Sequence, residues 1–242
     1  MARISVITVV RNDAGLLEET MLNVLEQKKH RDLEYVVIDG GSADGSIDII
    51  RRHADRLRYW VSEPDAGIYH AMNKGWEAAD DDSFVLFLGA GDRIVSLPGD
   101  EEFKNADVIY GKVLMGEEAV FTPRCDLHLK LYNTMHHQAL LVQKALHPAP
   151  PFDVAFPVYA DFDVNQRLWK GGARFLYSSG FLCYARPGGV SDRQPYGESL
   201  RVIAKNFGPL WVVVALSAYL CSRIFPFLKN MRPVSYRKSD DR

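Results

Sequence analysis

Ser62-Glu63-Pro64-Asp65-Ala66-Gly67-Ile68-Tyr69-His70-Ala71-Met72-Asn73-Lys74-Gly75, followed after an apolar run by Gly89-Ala90-Gly91-Asp92, decides how this chain folds. The first block is a polar turn that enters a helix, Ile68 to Ala79. The second leaves one carboxylate at the end of Phe84-Val85-Leu86-Phe87-Leu88, a continuous apolar run suited to a strand covered on both faces. Polar turns and lone acids at strand ends are where an open α/β sheet binds its ligands.

Working outward, Ile4 to Val9 reads as a first strand, and Leu17, Met21, Val24 and Leu25 recur at helical spacing after it. Tyr35-Val36-Val37-Ile38 is a second strand that closes on Asp39-Gly40-Gly41. Asp44 or Ser46 caps a helix carrying Ile47, Ile49 and Ile50, and Leu57 to Val61 is a third strand. This alternation predicts β-α-β units and a mixed, mostly parallel sheet flanked by helices. Beyond Pro98 the pattern loosens into Val108 to Leu114, Ala119 to Phe121, Leu140 to Val142, Arg174 to Tyr177 and a helix from about Asp161 to Lys170, with Pro148-Ala149-Pro150-Pro151 as a turn.

The 242 residues, 47% of them hydrophobic, suit one α/β domain with an appendage and exclude wholesale disorder. A formal net charge of -2 gives no basic field of the kind that draws a protein onto nucleic acid. Cys125, Cys183 and Cys221 form no C-x-x-C pair, so neither a disulfide framework nor a thiolate zinc site is expected, and a reducing cytosol fits. The first residues run straight into a strand with no secretory pattern, which places the catalytic part in the cytoplasm as an expectation.

The carboxyl terminus differs in kind, because Phe207 to Ser222 carries no charge. Pro209 suits the first turn of a helix and Pro226 its end, leaving about 17 residues or roughly 25 Å, short of a roughly 30 Å hydrocarbon core. Arg201 and Lys205 precede it, and Arg223, Lys229, Arg232, Arg237 and Lys238 follow. Basic flanks on both sides favour a helix lying on or re-entering the cytoplasmic leaflet, with a helix capping the core as the alternative. The expected division is a catalytic domain, 1–200, and a membrane-association segment, 201–242.

With Ile4-Ser5-Val6-Ile7-Thr8-Val9-Val10-Arg11-Asn12 and Asp39-Gly40-Gly41-Ser42-Ala43-Asp44-Gly45-Ser46, the two opening blocks resemble the family 2 glycosyltransferases, inverting enzymes of the GT-A fold that use nucleotide sugars. The resemblance covers roughly residues 3 to 192 and is strongest over the first hundred. It implies that Thr8, Val10 and Asn12 line a donor pocket, that Asp39 binds the uracil or ribose, and that Asp65, Asn73 and Gly91 add donor contacts, with Lys74 near a phosphate. On the residues alone, Asp39 reads equally as a turn aspartate bonded to its own backbone, Asp65 as a helix cap and Asn73 as a surface residue. The resemblance also implies a divalent cation, Mn²⁺ or Mg²⁺, ligated by Asp92. Many members carry two acids there, whereas Gly89-Ala90-Gly91-Asp92 offers one, which suffices for an ion that keeps waters and takes phosphates as ligands. Asp80, Asp81 and Asp82 read as a solvated loop.

An inverting transfer needs a general base and no covalent nucleophile. Ala160-Asp161-Phe162-Asp163 resembles the segment that supplies it, usually an acid-Asp pair, and this implies Asp161 as base. Ala160 in place of the first acid removes a neighbour that would raise its pKa, and Asp163 points to another helix face. His136-His137-Gln138 stands where related enzymes carry His-Gln, and His137 is implied at the metal, donor or acceptor site, or else belongs to a buried hydrogen-bonded pair. Asn165-Gln166-Arg167-Leu168-Trp169 lacks the Q-x-x-R-W spacing of processive synthases, so a single transfer is expected. Arg186 and Arg193, around Pro187-Gly188-Gly189, either close over the diphosphate or are solvated.

The resemblance thus implies transfer of one sugar from a nucleotide diphosphate donor, UDP-linked, to a growing glycan in cell-surface polysaccharide biosynthesis. The implied acceptor is a polyprenyl-diphosphate-linked saccharide at the cytoplasmic membrane surface. A catalytically degenerate scaffold at the membrane and a sugar-1-phosphate nucleotidyltransferase are the alternatives. A Rossmann dehydrogenase is excluded, since Arg11-Asn12-Asp13-Ala14-Gly15 stands where G-x-G-x-x-G is required.

Overall fold

β1 (Ile4–Val10) and β2 (Leu33–Asp39) are buried at every position, because helices cover both faces of the sheet they form. The computed structural model describes residues 2–116, 119–188, 195–224 and 237–238. Arg193, Pro226, Lys229 and Arg232, singled out above, lie outside the described residues. β3 (Tyr59–Ser62) and β4 (Phe84–Gly89) complete a parallel array in the order β4-β1-β2-β3. Val10, Asp39 and Ser62 stand in one register and Gly89 lies beside Val9, so the loops after all four strands open on one edge.

α1 (Ala14–Gln27) buries Leu17, Met21, Val24 and Leu25, as their spacing predicts, against one face. α2 (Ser46–Arg52) follows the turn after β2, with Asp44 accepting from Ser46 N–H at 3.1 Å. α3 (Ile68–Ala78) packs on the opposite face. It comes so close that a Cβ on Gly75 would lie 2.3 Å from Cγ2 of Ile7, so only glycine fits the quoted motif there.

The second half reverses direction. β5 (Arg93–Ser96) and α4 (Asp100–Asn105) lead to β6 (Val108–Met115), β7 (Ala119–Phe121) and β8 (Leu140–Gln143). α5 (Ala160–Lys170), β9 (Phe175–Ala185), α6 (Tyr196–Phe207), α7 (Pro209–Ile224) and β10 (Arg237–Lys238) follow. β8 runs antiparallel between β4 and β6, and β9 pairs parallel with β6 and antiparallel with β5, completing a ten-stranded mixed sheet. The strand expected over Arg174 to Tyr177 is the start of β9, which continues through a register shift against β6 between Tyr110 and Lys112. β5 and α4 were not anticipated, because four and six residues are too few for a periodicity to show. The third strand starts at Tyr59 rather than Leu57, since Ala54–Arg56 forms a 3₁₀ turn before it.

The division expected at residue 200 runs through α6. Val202 and Ile203 of that helix are fully buried, and Asn206 Nδ2 donates to Asp163 Oδ1 at 2.9 Å. The helical run breaks instead at Gly208, whose φ of 86° ends α6. α7 opens on Pro209 as the sequence predicts, and its 16 residues amount to about 24 Å. No helix among the described residues is long and apolar enough to cross a membrane. Trp211 anchors α7 under the Lys130 ammonium, 4.1 Å from the ring centre, while Leu210, Val213, Val214, Leu216 and Leu220 stay exposed.

Candidate active site

A cleft of about 330 Å³ opens at the carboxyl edge of the parallel strands, with Tyr69, Asp92, His137, Val158 and Arg186 in its wall. Asp92 follows β4 on the turn that the Gly-Ala-Gly sequence makes. Its Oδ2 accepts from Gly89 N–H at 2.7 Å and its Oδ1 from Arg186 N–H at 3.0 Å. Burial raises its pKa above the ordinary carboxylate value, against these N–H groups and the nearby His137 and Gln138. Gly91 holds φ at 92°, and a Cβ there would lie 2.9 Å from Arg186 Cδ, so the glycine lets the arginine cross the turn. Its N–H is taken by Thr20 Oγ1 at 2.9 Å. The Arg186 guanidinium is half exposed, 3.5 Å from Asp13.

Beside the cleft, which Asp13 borders, the turns after β1 and β2 are bonded to each other. Asp39 is fully buried, accepting from Ser42 N–H at 2.9 Å, Ser62 Oγ at 2.6 Å and the Ser42 hydroxyl. Asn12 holds a left-handed φ of 53°, donates from its backbone to Ser42 Oγ at 2.7 Å and accepts from Ala43 N–H at 2.9 Å. The Val10 carbonyl accepts from Gly40 N–H at 2.9 Å. Val10, Asn12 and Asp39 therefore meet as one cross-linked rim. A Cβ on Gly40 would lie 3.3 Å from Asp65 Oδ2, so Asp65 abuts the same turn.

Three expectations are corrected. Thr8 lies one pleat deeper than Val10, fully buried, with its hydroxyl accepting from Tyr35 OH at 2.9 Å, so it does not line a pocket. Asn73 is buried and is not a surface residue. Its Oδ1 accepts from Phe152 N–H at 3.0 Å and its Nδ2 donates to Phe152 C=O at 2.8 Å, clamping the proline-rich loop. Lys74 is drawn into ion pairs with Asp65 at 2.6 Å and Glu63 at 2.7 Å. Asp65 also reaches His70 Nδ1 at 3.1 Å and does not cap α3, whose N-cap is Gly67.

Asp161 sits in the first turn of α5. Its Oδ1 accepts from Phe162 N–H at 2.7 Å and its Oδ2 from Asn133 Nδ2 at 3.1 Å, while Tyr69 OH shares its one proton between the Val158 carbonyl at 2.8 Å and Asp161 Oδ1 at 3.2 Å. His137 Nδ1 is 3.6 Å from that Oδ2. Burial, and then the Asp161 charge, hold the Tyr69 phenol well above its ordinary pKa. Asp163 faces elsewhere, fully buried and bonded to Arg167 at 2.9 Å, Lys205 at 3.0 Å and Asn206, so it ties α5 to α6. His136 is turned inward against Phe121 and bonded to Gln138, and burial, then His137, lowers its pKa. Asp92, His137 and Arg186 thus share one cleft wall with Tyr69, to which Asp161 is bonded. The sequence reading missed Tyr69 and Asn133. Tyr69 lay inside the quoted motif, one turn from the glycine that starts α3, whereas Asn133 belongs to an irregular loop with no spacing to mark it.

Asp92 fits a divalent cation as a single protein ligand. Among the described residues no cluster of three or more His, Cys, Asp or Glu could enclose a metal. One carboxylate beside an open cleft suits a hard cation that keeps waters and binds phosphate oxygens.

The sequence profile of glycosyl transferase family 2 matches residues 5–93. An uncharacterised glycosyltransferase of Mycobacterium tuberculosis is 40% identical over 90 residues, 37% of this chain, and the match spans about a third of that relative's length (34%). A PGL/p-HBAD biosynthesis glycosyltransferase of Mycobacterium bovis is 30% identical over 184 residues, 70% of each chain. Among solved structures, mannosyltransferase PcManGT of Pyrobaculum calidifontis, in complex with GDP-Man and Mn²⁺, matches with a TM-score of 0.66 at 18% identity, covering 95% of this chain and 73% of that one. The mixed sheet and its flanking helices are the GT-A fold.

Proposed function

Because the chain belongs to glycosyl transferase family 2, we propose that it is an inverting transferase moving a single sugar from a nucleotide diphosphate sugar, UDP-linked in the first instance, to a glycan acceptor. The observation that carries this reading is the convergence of Asp92, His137, Arg186 and Tyr69 on one cleft at the carboxyl edge of the parallel strands, with Asp161 behind its wall, 3.2 Å from the Tyr69 hydroxyl. Asn12 and Asp65 at the rim hold the nucleoside, Asp39, as fully buried as Thr8, holds the turn between them, and Gly91 lets Arg186 cross beside the diphosphate. Asp92 would hold a Mn²⁺ or Mg²⁺ ion, which when bound would supply charge neutralisation for the diphosphate. The Arg186 guanidinium adds a second positive charge at the mouth.

The acceptor hydroxyl oxygen forms the new bond to the anomeric carbon as the bond to the nucleotide diphosphate breaks, and the electron pair leaves with the diphosphate. The hydroxyl proton passes to the Asp161 carboxylate, the general base. Tyr69, Asn133 and the Phe162 N–H fix that carboxylate, so orientation is set before substrate arrives. His137 stands at the acceptor side. The exposed apolar residues of α7 and the basic residues after it support docking at the cytoplasmic membrane surface and a polyprenyl-diphosphate-linked acceptor.

The test is a binding and turnover screen of UDP-, GDP- and dTDP-sugars with Mn²⁺ or Mg²⁺, on the intact chain and on Asp92→Ala. Metal-dependent donor binding that Asp92→Ala removes is the expected result. A folded protein with no metal-dependent response sinks the enzyme reading in favour of a scaffold.

A further inference from the structure

Three buried side-chain atoms without a hydrogen-bond partner, His137 Nδ1, His147 Nδ1 and Asn165 Oδ1, belong to residues that line one cavity together with Asp161. The cavity is about 10 Å³, the space of one water molecule, and the remaining wall is apolar, Val85, Phe87 and Phe152 among it. The His137 Nδ1 to Asp161 Oδ2 separation of 3.6 Å is too long for a direct hydrogen bond, so Asp161 leaves His137 Nδ1 to find another partner. Leaving such atoms unpaired inside a protein is costly, and here all three belong to residues that line one space of the size of a water molecule.

We propose that this cavity is a binding site for one water molecule, which accepts from His137 Nδ1–H and donates to Asn165 Oδ1 and His147 Nδ1. Three hydrogen bonds are the usual complement of a buried water. His147 suits the acceptor role, since burial, then Arg167 and Lys144, drives its pKa down to about 3 and keeps the ring neutral. The water closes a chain already present. Asn133 Nδ2 donates to Asp161 Oδ2 at 3.1 Å, Asn165 Nδ2 donates to Asn133 Oδ1 at 3.1 Å, and the water joins Asn165 to His137. The base and the cleft-wall histidine are thereby held in one network. With its proton on Nδ1, His137 presents the Nε2 lone pair as an acceptor. Asn133 and Asn165 are positioning residues acting through Asp161 and His137.

The water site stands on geometry alone, while its effect on turnover rests on the glycosyltransferase reading. A crystal structure of the intact chain at 1.8 Å or better tests the first. Density for one water within hydrogen-bond reach of His137 Nδ1 and Asn165 Oδ1 is expected, and a dry cavity, a direct His137–Asp161 bond or a metal ion there overturns the proposal. Steady-state kinetics of Asn165→Leu test the second. The expected result is a kcat lower by about tenfold or more, the scale of a small misplacement of a reacting group, with donor Kd unchanged. An unaltered kcat overturns the positioning role, and a wild-type chain inactive on every donor removes the transferase reading while leaving the crystallographic result standing.

Discussion

The parallel half of the sheet and the mixed half differ in how far most partners of their site carboxylates lie along the chain. In the first, Asp39 and Asp44 are engaged by nearby backbone N–H and serine groups, and Asp92 by backbone N–H groups. These carboxylates hold turns at strand ends in place before any ligand arrives. In the second, Asp161 is held by the Phe162 N–H and by side chains from α3 and the loop before β8, 92 and 28 residues away. His137, His147 and Asn165 keep buried atoms unpartnered there, as Asp65 and Trp76 do in the first. The family profile ends at residue 93, close to where the parallel half ends. Under the proposed function the first half holds the donor and the second meets the acceptor, and the 184-residue match with the Mycobacterium bovis relative extends into that second half as well.

The largest effect that tests this division is on Asp161. Asp161→Asn is expected to lower kcat by about 10²–10⁴, the contribution of a positioned general base, while leaving donor Kd as it was. The amide places an N–H₂ opposite Asn133 Nδ2, so a stability loss of about 1–2 kcal/mol accompanies it. Parallel kinetics and thermal melts separate the two. A kcat within tenfold of wild type would show that the reacting group does not come from the mixed half.

That half was also the harder one to read. β1, β2 and β4 are buried on both faces, so each is a continuous apolar run, and Asp39 and Asp92 mark their ends. Gly208 and Pro209 likewise mark the α6–α7 junction in the sequence itself. β9, by contrast, is irregular, and its pairing with β6 is set by contacts distant in the chain. The roles of Asn73 and Lys74 were hidden for the same reason, because Phe152 lies 79 residues from Asn73 and Lys74 is drawn to Asp65 and Glu63. Thr8 shows a further limit. Alternation along a strand tells which face a residue takes, and how deep it lies depends on where the strand stops. Asn133 has no pattern at all, since a loop residue acquires its partner only when α5 is in place.

A smaller effect concerns His147 of the mixed half. Its folded pKa, about 3, lies below the ordinary 6.5, so the unfolded chain takes up the proton first. Its contribution to stability is complete above pH 6.5 and is lost as pH falls from there toward 3. Between pH 6.5 and 4.5 this amounts to roughly 2–3 kcal/mol. His147→Phe, which keeps an aromatic ring against Trp76 and Phe87, is expected to show a shallower fall in Tm over that interval. Identical slopes in the two proteins would place the acid sensitivity of the fold elsewhere.

The smallest effect sharpens where the mixed half ends. α7 contacts α6 through Tyr219 stacked on Tyr196 and through Trp211 beside Phe207, and turns Leu210, Val213, Val214 and Leu220 outward. An apolar face of this extent followed by basic residues suits the interfacial region of an anionic bilayer, where buried apolar area and electrostatic attraction add. Co-sedimentation of the intact chain with vesicles containing phosphatidylglycerol should therefore exceed that with phosphatidylcholine and weaken as salt rises, since the charge component is screened. Val213→Ser with Leu220→Ser should reduce binding to both vesicle types while leaving donor Kd unchanged, because neither residue belongs to the cleft. Equal sedimentation of the variant and the parent would mean that α7 covers the protein's own core and that the membrane is met by another surface.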